Sequence, residues 1–511
     1  MFRRCKVVGS KLDHPYHPSF IPRSLWPHVQ KIVISGPFHR DDVVTYYDEY
    51  EGSTPGALEY EAICLANALR TGELVQEALS SMPLLQIVEI HILERINPSL
   101  IGVSWYILRA ILSSPQLRRF ACFGRLCNPN DSLPEGATFT TTAPLKDIVY
   151  NHSSFDALPH IIPMERHLLE LFLPHAASTL QNVVLPIGAA PLEAMSLCDW
   201  PALHRLVLRG ERPVHSKTSR RPLVAVLGRM PKLRMLALRL AEPANSDPEL
   251  IWPPSFNAEY EWPELEQLTL MHPWPDDKLY AHLGPSLRDL ALRCWPRYYK
   301  HQRGYNDFMH QDDAEVHWAS PLLLSSAMLR ILRSSEASSL THLQLEYRAD
   351  DSDQDLLDHI ASAFPHLIVL RIHRYRKSDT LVVPVADIAH SLSSLRELRM
   401  LMMHLDFHDL PNVNAMSNEV WDPEIRARNE EEVTTSWATL LAAVNVLARG
   451  LSPSVEYVCI LWPPVHSFPQ WRAFNIFRPS GEAGEGEDIR VWQRPYTYGD
   501  RLYDCDLYND N

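Results

Sequence analysis

One phrase recurs along this chain and constrains its fold more than any other feature. It is a proline, one residue of any kind, then Leu-x-x-Leu-x-Leu or an apolar equivalent. It reads Leu203-Leu206-Leu208, Leu233-Leu236-Leu238, Leu265-Leu268-Leu270, Leu287-Leu290-Leu292, Leu340-Leu343-Leu345, Leu367-Leu370-Ile372 and Leu395-Leu398-Met400. Weaker copies begin at Val29, Leu85, Leu117, Leu145 and Leu180 before this block and at Val455 after it. First positions mostly fall 22 to 35 residues apart. A period of that size means that one small unit is stacked on copies of itself, giving a solenoid.

The proline stands two places before the first apolar position at Pro27, Pro83, Pro115, Pro201, Pro231, Pro263, Pro285, Pro365 and Pro453. It cannot donate to a sheet ladder and disfavours helix in the residue before it. We therefore expect it to end a helix and start the chain into a strand. The residue before it is often large and apolar (Trp26, Met82, Trp200, Met230, Trp262, Phe364), an expected plug at that corner. Between the phrases, apolar spacing of three and four predicts helices over 58–79, 100–112, 223–227, 322–332, 356–364, 385–392 and 437–447. Each unit is thus strand, loop, helix, loop. The expected organisation is a lead-in over 1–25, the solenoid over 26–460, and an aromatic-rich cap with an acidic tail over 461–511.

Composition narrows the class. A net charge of −14 argues against a protein that coats nucleic acid with its whole surface. The eight cysteines lie far apart without a C-x-x-C pair, so buried free thiols in a reducing cytoplasmic or nuclear compartment are expected. The apolar stretch from Leu100 to Leu108 ends at Arg109, too short to span a membrane. No signal peptide stands behind Met1.

The repeated phrase resembles the leucine-rich-repeat family, and more narrowly the irregular repeats of fungal F-box/leucine-rich-repeat proteins, over roughly residues 26 to 460. The resemblance implies an α/β horseshoe with parallel strands on the concave face and helices on the convex face. It implies a non-enzymatic protein-binding module, and by its narrower form a substrate receptor of an F-box-type ubiquitin ligase. The chain departs from the family in two ways. The ninth position, where the family often has an Asn ladder, carries Glu211, Ala241, Pro273, Trp295, Arg348, Tyr375 and Met403. No F-box is evident in residues 1–25, which leaves binding of a Skp-type adaptor open, with a stand-alone scaffold as the alternative and an enzyme with its site in the inserted loops as a less favoured one.

No G-x-S-x-G, P-loop, H-E-x-x-H or G-x-G-x-x-G motif is present, so neither a catalytic residue nor a cofactor is assigned. The insert from Arg297 to Trp318, rich in His and Asp, reads as a polar loop and not as a metal site. Strand alternation turns the third, fifth and seventh positions of each phrase to the concave face. That places Arg209, Arg239, Arg293, Arg371 and Arg399 there, with Trp274, Trp295, Tyr347 and Tyr375 at the strand exits. Arginine beside aromatics is the make-up of binding hot spots, and guanidinium suits carboxylate or phosphate. The expected ligand is accordingly an acidic or phosphorylated protein, bound at Arg209, Arg239, Arg293, Arg371, Arg399, Trp295 and Tyr375.

Overall fold

The computed structural model describes residues 4–8, 21–35, 57–92, 102–127, 141–151, 161–212, 221–242, 249–257, 262–293, 322–377, 379–408, 423–462, 470–478 and 489–493, with 133–134, 136–139 and 260 between them. It divides into two units, residues 1–240 with 259–262, and 241–258 with 263–511.

In the first unit, strands β1 (Arg4–Val8), β2 (Lys31–Ser35), β3 (Ile87–His91), β4 (Arg119–Phe123), β5 (Asp147–Asn151), β6 (Asn182–Pro186) and β7 (Arg205–Glu211) pair in parallel, each with the next. Strand β8 (Met235–Ala241) joins them through the His204 carbonyl. The weaker phrases fall into strict register, with Val88 opposite Phe120, Phe120 opposite Ile148, and Ile148 opposite Val183. Strand β1 arises from the segment expected as an irregular lead-in. Helices α1 (Ala57–Ser80), α2 (Trp105–Leu112), α3 (Ile161–Ala176), α4 (Leu192–Leu197) and α5 (Leu223–Leu227) lie between strands. Helix α1 packs on α2, and α4 packs on both α3 and α5. Helix α3 escapes the sequence pattern because Pro163 and Pro174 interrupt it, yet the chain stays helical through both.

In the second unit, β9 (Gln267–Met271), β10 (Asp289–Arg293), β12 (His342–Arg348), β13 (Val369–Tyr375), β14 (Met400–Leu405) and β15 (Tyr457–Trp462) run parallel, with the two-residue β11 (Leu323–Leu324) beside the end of β12. Strands β16 (Gln470–Phe477) and β17 (Arg490–Gln493) follow antiparallel. Helices α6 (Ser325–Ser334), α7 (Asp353–Ala363), α8 (Val385–Leu392) and α9 (Pro423–Gly450) pack each on the next. Each unit has the α/β fold of a leucine-rich-repeat solenoid: inward Leu, Ile and Val side chains of its phrases are buried, and the helices return the chain between parallel strands.

The proline does not itself open a strand. Its predecessor's carbonyl accepts the N–H three residues on, from Leu85 to Met82, Leu203 to Trp200, Leu233 to Met230 and Leu367 to Phe364. Proline therefore sits at the second position of a β-turn, which its fixed φ suits. The residues at the plug site, Met82, Trp200, Met230 and Phe364, are fully buried.

One phrase needs correction. Leu370 stands opposite Leu401 and Ile372 opposite Met403, so the seventh strong phrase is Leu398-Leu401-Met403 and not Leu395-Leu398-Met400. Leu395 is the plug of that corner, its carbonyl accepting from Leu398 N–H. A leucine at the plug site imitates the phrase three residues early.

Buried carboxylates tie loops where an Asn ladder is missing. Glu165 of α3 accepts from the N–H groups of Leu126 (3.0 Å) and Cys127 (3.4 Å). Burial drives its carboxyl up to about 7, against the pull of Tyr150, the two N–H groups and Arg125. Asp277 likewise accepts from Ile251 N–H (2.7 Å), Trp252 N–H (3.1 Å) and Leu279 N–H (2.9 Å). Asp353, in the first turn of α7, pairs with Arg374 at 2.7 Å inside the second unit.

Candidate interaction face

A shared-carbonyl ladder sets the outward positions. Within each unit the second residue of a phrase accepts from both the second and third N–H groups of the next: Arg118 O from Lys146 N (2.7 Å) and Asp147 N (3.1 Å), Lys146 O from Gln181 N (2.7 Å) and Asn182 N (3.0 Å). The same pattern runs through the second unit, where Thr341 O accepts from Ile368 N (2.8 Å) and Val369 N (3.1 Å). Side chains at positions two and three are thereby held in fixed rows.

The rows differ in exposure. In the first unit the fifth positions, Ala121, Val149, Val184, Val207 and Ala237, form a buried apolar ribbon with Phe123 and Met235 packed against it. They alternate with the inward leucines, so the sheet is apolar on both sides there, as parallel sheets tend to be. The third positions stay half-exposed: Lys31, Arg119, Asp147, Asn182 and Arg205 in the first unit, and Gln267, Val369, Met400 and Tyr457 in the second. Lys31 reaches Glu89 at 2.6 Å, with Arg119 at 3.9 Å from the same carboxylate. Across β10 and β12, His342 meets Asp289 at 2.9 Å.

The arginines expected on this face are distributed unevenly. Arg209 is half-buried, whereas Arg239, Arg293 and Arg371 expose only 9%, 9% and 6% of their surface. Arg293 and Arg371 both donate to Gln344 Oε1, at 3.3 and 3.5 Å. The Arg371 guanidinium also lies 5.1 Å from the centre of the Trp471 ring, a cation–π contact. Trp471 meets His373 edge-on at 5.4 Å and packs with Met402 and Cys459. Tyr375 donates to Glu346 Oε1 at 3.2 Å and lies 4.9 Å from His404. The structure thus brings Arg293, Arg371 and Tyr375 into one polar and aromatic network on the face of the second unit. Arg399 stands apart at the second position, its side chain 68% exposed and 3.8 Å from Glu456.

Trp274 is half-buried, Tyr347 is fully buried, and Trp295 lies outside the described residues, as does the 297–318 insert. Among the described residues no group of three or more metal-ligating side chains gathers, and no helix is long and apolar enough to cross a membrane. Nothing in the sequence pattern marks Gln344 or Trp471. Gln344 was one outward residue among many, and Trp471 reaches the face from an antiparallel strand beyond the last phrase.

No family model and no curated protein matches the chain. Among solved structures, the crystal structure of the leucine-rich repeat-containing protein LegL7 from Legionella pneumophila is similar at 14% identity. The match covers 76% of this chain and 87% of that one, with a TM-score of 0.29.

Proposed function

We propose that the protein is a non-enzymatic interaction module that holds another protein against the outward face of its parallel strands, without a cofactor. The observation that carries this reading is the third-position row. It offers half-exposed side chains of mixed chemistry, on a backbone that the shared-carbonyl ladder keeps rigid. A rigid, pre-ordered face loses little entropy on binding, which favours its use as a recognition surface. Within this reading Arg399 is exposed to a partner and Arg209 is half-buried on the face. Arg239, Arg293, Arg371 and Tyr375 shape the face from beneath, and Arg371 reaches a partner only by leaving Gln344 and Trp471. Buried thiols at Cys122, Cys127 and Cys459 suit work in a reducing compartment, the cytoplasm or nucleus.

The resemblance to F-box/leucine-rich-repeat proteins extends the reading to a ubiquitin-ligase substrate receptor. Affinity purification of the full chain with mass spectrometry tests both levels. One stable protein partner, lost when Asn182→Glu and Met400→Glu are introduced together, supports the module. Recovery of no partner, or full retention by that variant, sinks it. A co-purifying Skp-type adaptor and cullin supports the receptor role, and a partner without them supports a stand-alone scaffold.

A further inference from the structure

From β2 to β8 the second and third rows of the first unit carry six cations, Lys31, Arg118, Arg119, Lys146, Arg205 and Arg234, against one acid, Asp147. Asp147 is itself engaged by the Asn182 amide, and Glu89 beneath the rows has one carboxylate facing both Lys31 and Arg119. The same rows of the second unit carry Arg288 and Arg399 against Glu266, Asp289 and Glu456. The cationic excess is therefore specific to one unit of a chain whose net charge is −14. Lys146 and Arg234 are exposed, and the other four are half-buried with their bodies laid on the face. Like charges set side by side on a folded surface repel one another, so a ligand of opposite sign gains by covering them.

We infer that this rim of the first unit, where its strands begin, binds an extended acidic segment of a protein partner. The inference rests on the interaction-module reading and assigns the partner's chemistry. Six steps of about 4.8 Å from β2 to β8 make a row of roughly 29 Å, the span of about nine extended residues. Gln30, Gln86 and Gln181 are interleaved with the cations and supply amides that can hydrogen-bond a peptide backbone. A nucleic acid fits less well. These two rows hold no Trp, Tyr or Phe on which bases could stack, and the anionic remainder of the chain repels a long polyanion.

The test uses the full chain and a fluorescein-labelled polyglutamate peptide of about 12 residues, read by fluorescence anisotropy. The peptide should bind, and binding should weaken as sodium chloride rises from about 50 to about 200 mM. Arg118→Glu, Lys146→Glu and Arg205→Glu together should weaken it by at least about tenfold, with the matching Gln variants as a milder second set. Arg288→Glu, in the same row of the second unit, should leave it unchanged. Equal binding by the triple variants, or an oligothymidylate of equal charge binding as tightly as the peptide, overturns the inference. A purified partner that the triple variant retains overturns it while the module reading stands. Failure to recover any partner with the wild-type chain fails the module reading itself.

Discussion

The Arg399 backbone N–H donates to the Ile368 carbonyl oxygen at 2.9 Å, and Met400 N–H donates to the same atom at 3.1 Å. Those bonds make Arg399 the second residue of its phrase and turn Met403 inward, where it is fully buried. Met403→Ala should therefore cost about 2–5 kcal/mol, while Arg399→Ala should stay within about 0.5 kcal/mol. Urea unfolding of the two variants checks this. A near-neutral Met403→Ala would restore the register in which Met403 lies in a loop.

The corner at Trp200 separates two roles. Its indole is fully buried and donates to Met195 O at 3.0 Å, while Pro201 occupies the turn position after it. Trp200→Ala should cost about 3–5 kcal/mol through the lost packing. Pro201→Ala should cost only about 0.4–1 kcal/mol, because it acts mainly on the unfolded chain. Chemical denaturation midpoints distinguish a plug from a breaker.

Glu165 makes stability depend on pH. Its carboxyl is raised by burial to about 7 from an ordinary value of 4.5, so between those values the folded chain holds a proton that the unfolded chain has released. The favourable contribution is complete below the unfolded value and is lost as pH rises through about 7, amounting to about 3 kcal/mol. Glu165→Gln mimics the protonated group and should remove that part of the slope. The readout is the difference between wild-type and variant unfolding free energy at pH 5 and pH 8. A difference that does not change with pH would show that Glu165 titrates normally.

The Asp353–Arg374 pair at 2.7 Å is buried on both sides, with side-chain exposures of 12% and 6%. Asp353→Ala leaves the guanidinium buried and should cost about 3–5 kcal/mol, more than the contact itself is worth. Asp353→Leu with Arg374→Met should recover much of the loss. A double-mutant cycle by thermal unfolding measures both effects, and strictly additive losses would contradict the coupling.

The inward lattice was legible because it is local. Alternation along a strand and the proline-marked turn act within a few residues, so even the weak phrases at Leu85 and Leu145 fall into register. The Leu395 phrase failed for a local reason as well, since leucine suits the plug site and the strand alike. The arginine face was legible only as composition. Placement on the outward side follows from alternation, but exposure there does not.

The sequence by itself determined the repeating unit and, outside the seventh strong phrase, the inward core and which residues alternate outward. Only the tertiary structure decided which outward rows meet solvent. Arg371 is covered by Trp471 and tied to Gln344, residues far from it in the chain, and Glu165 finds the backbone of Leu126 from a distant helix. Burial of a charged side chain depends on such non-local neighbours, which periodicity does not encode.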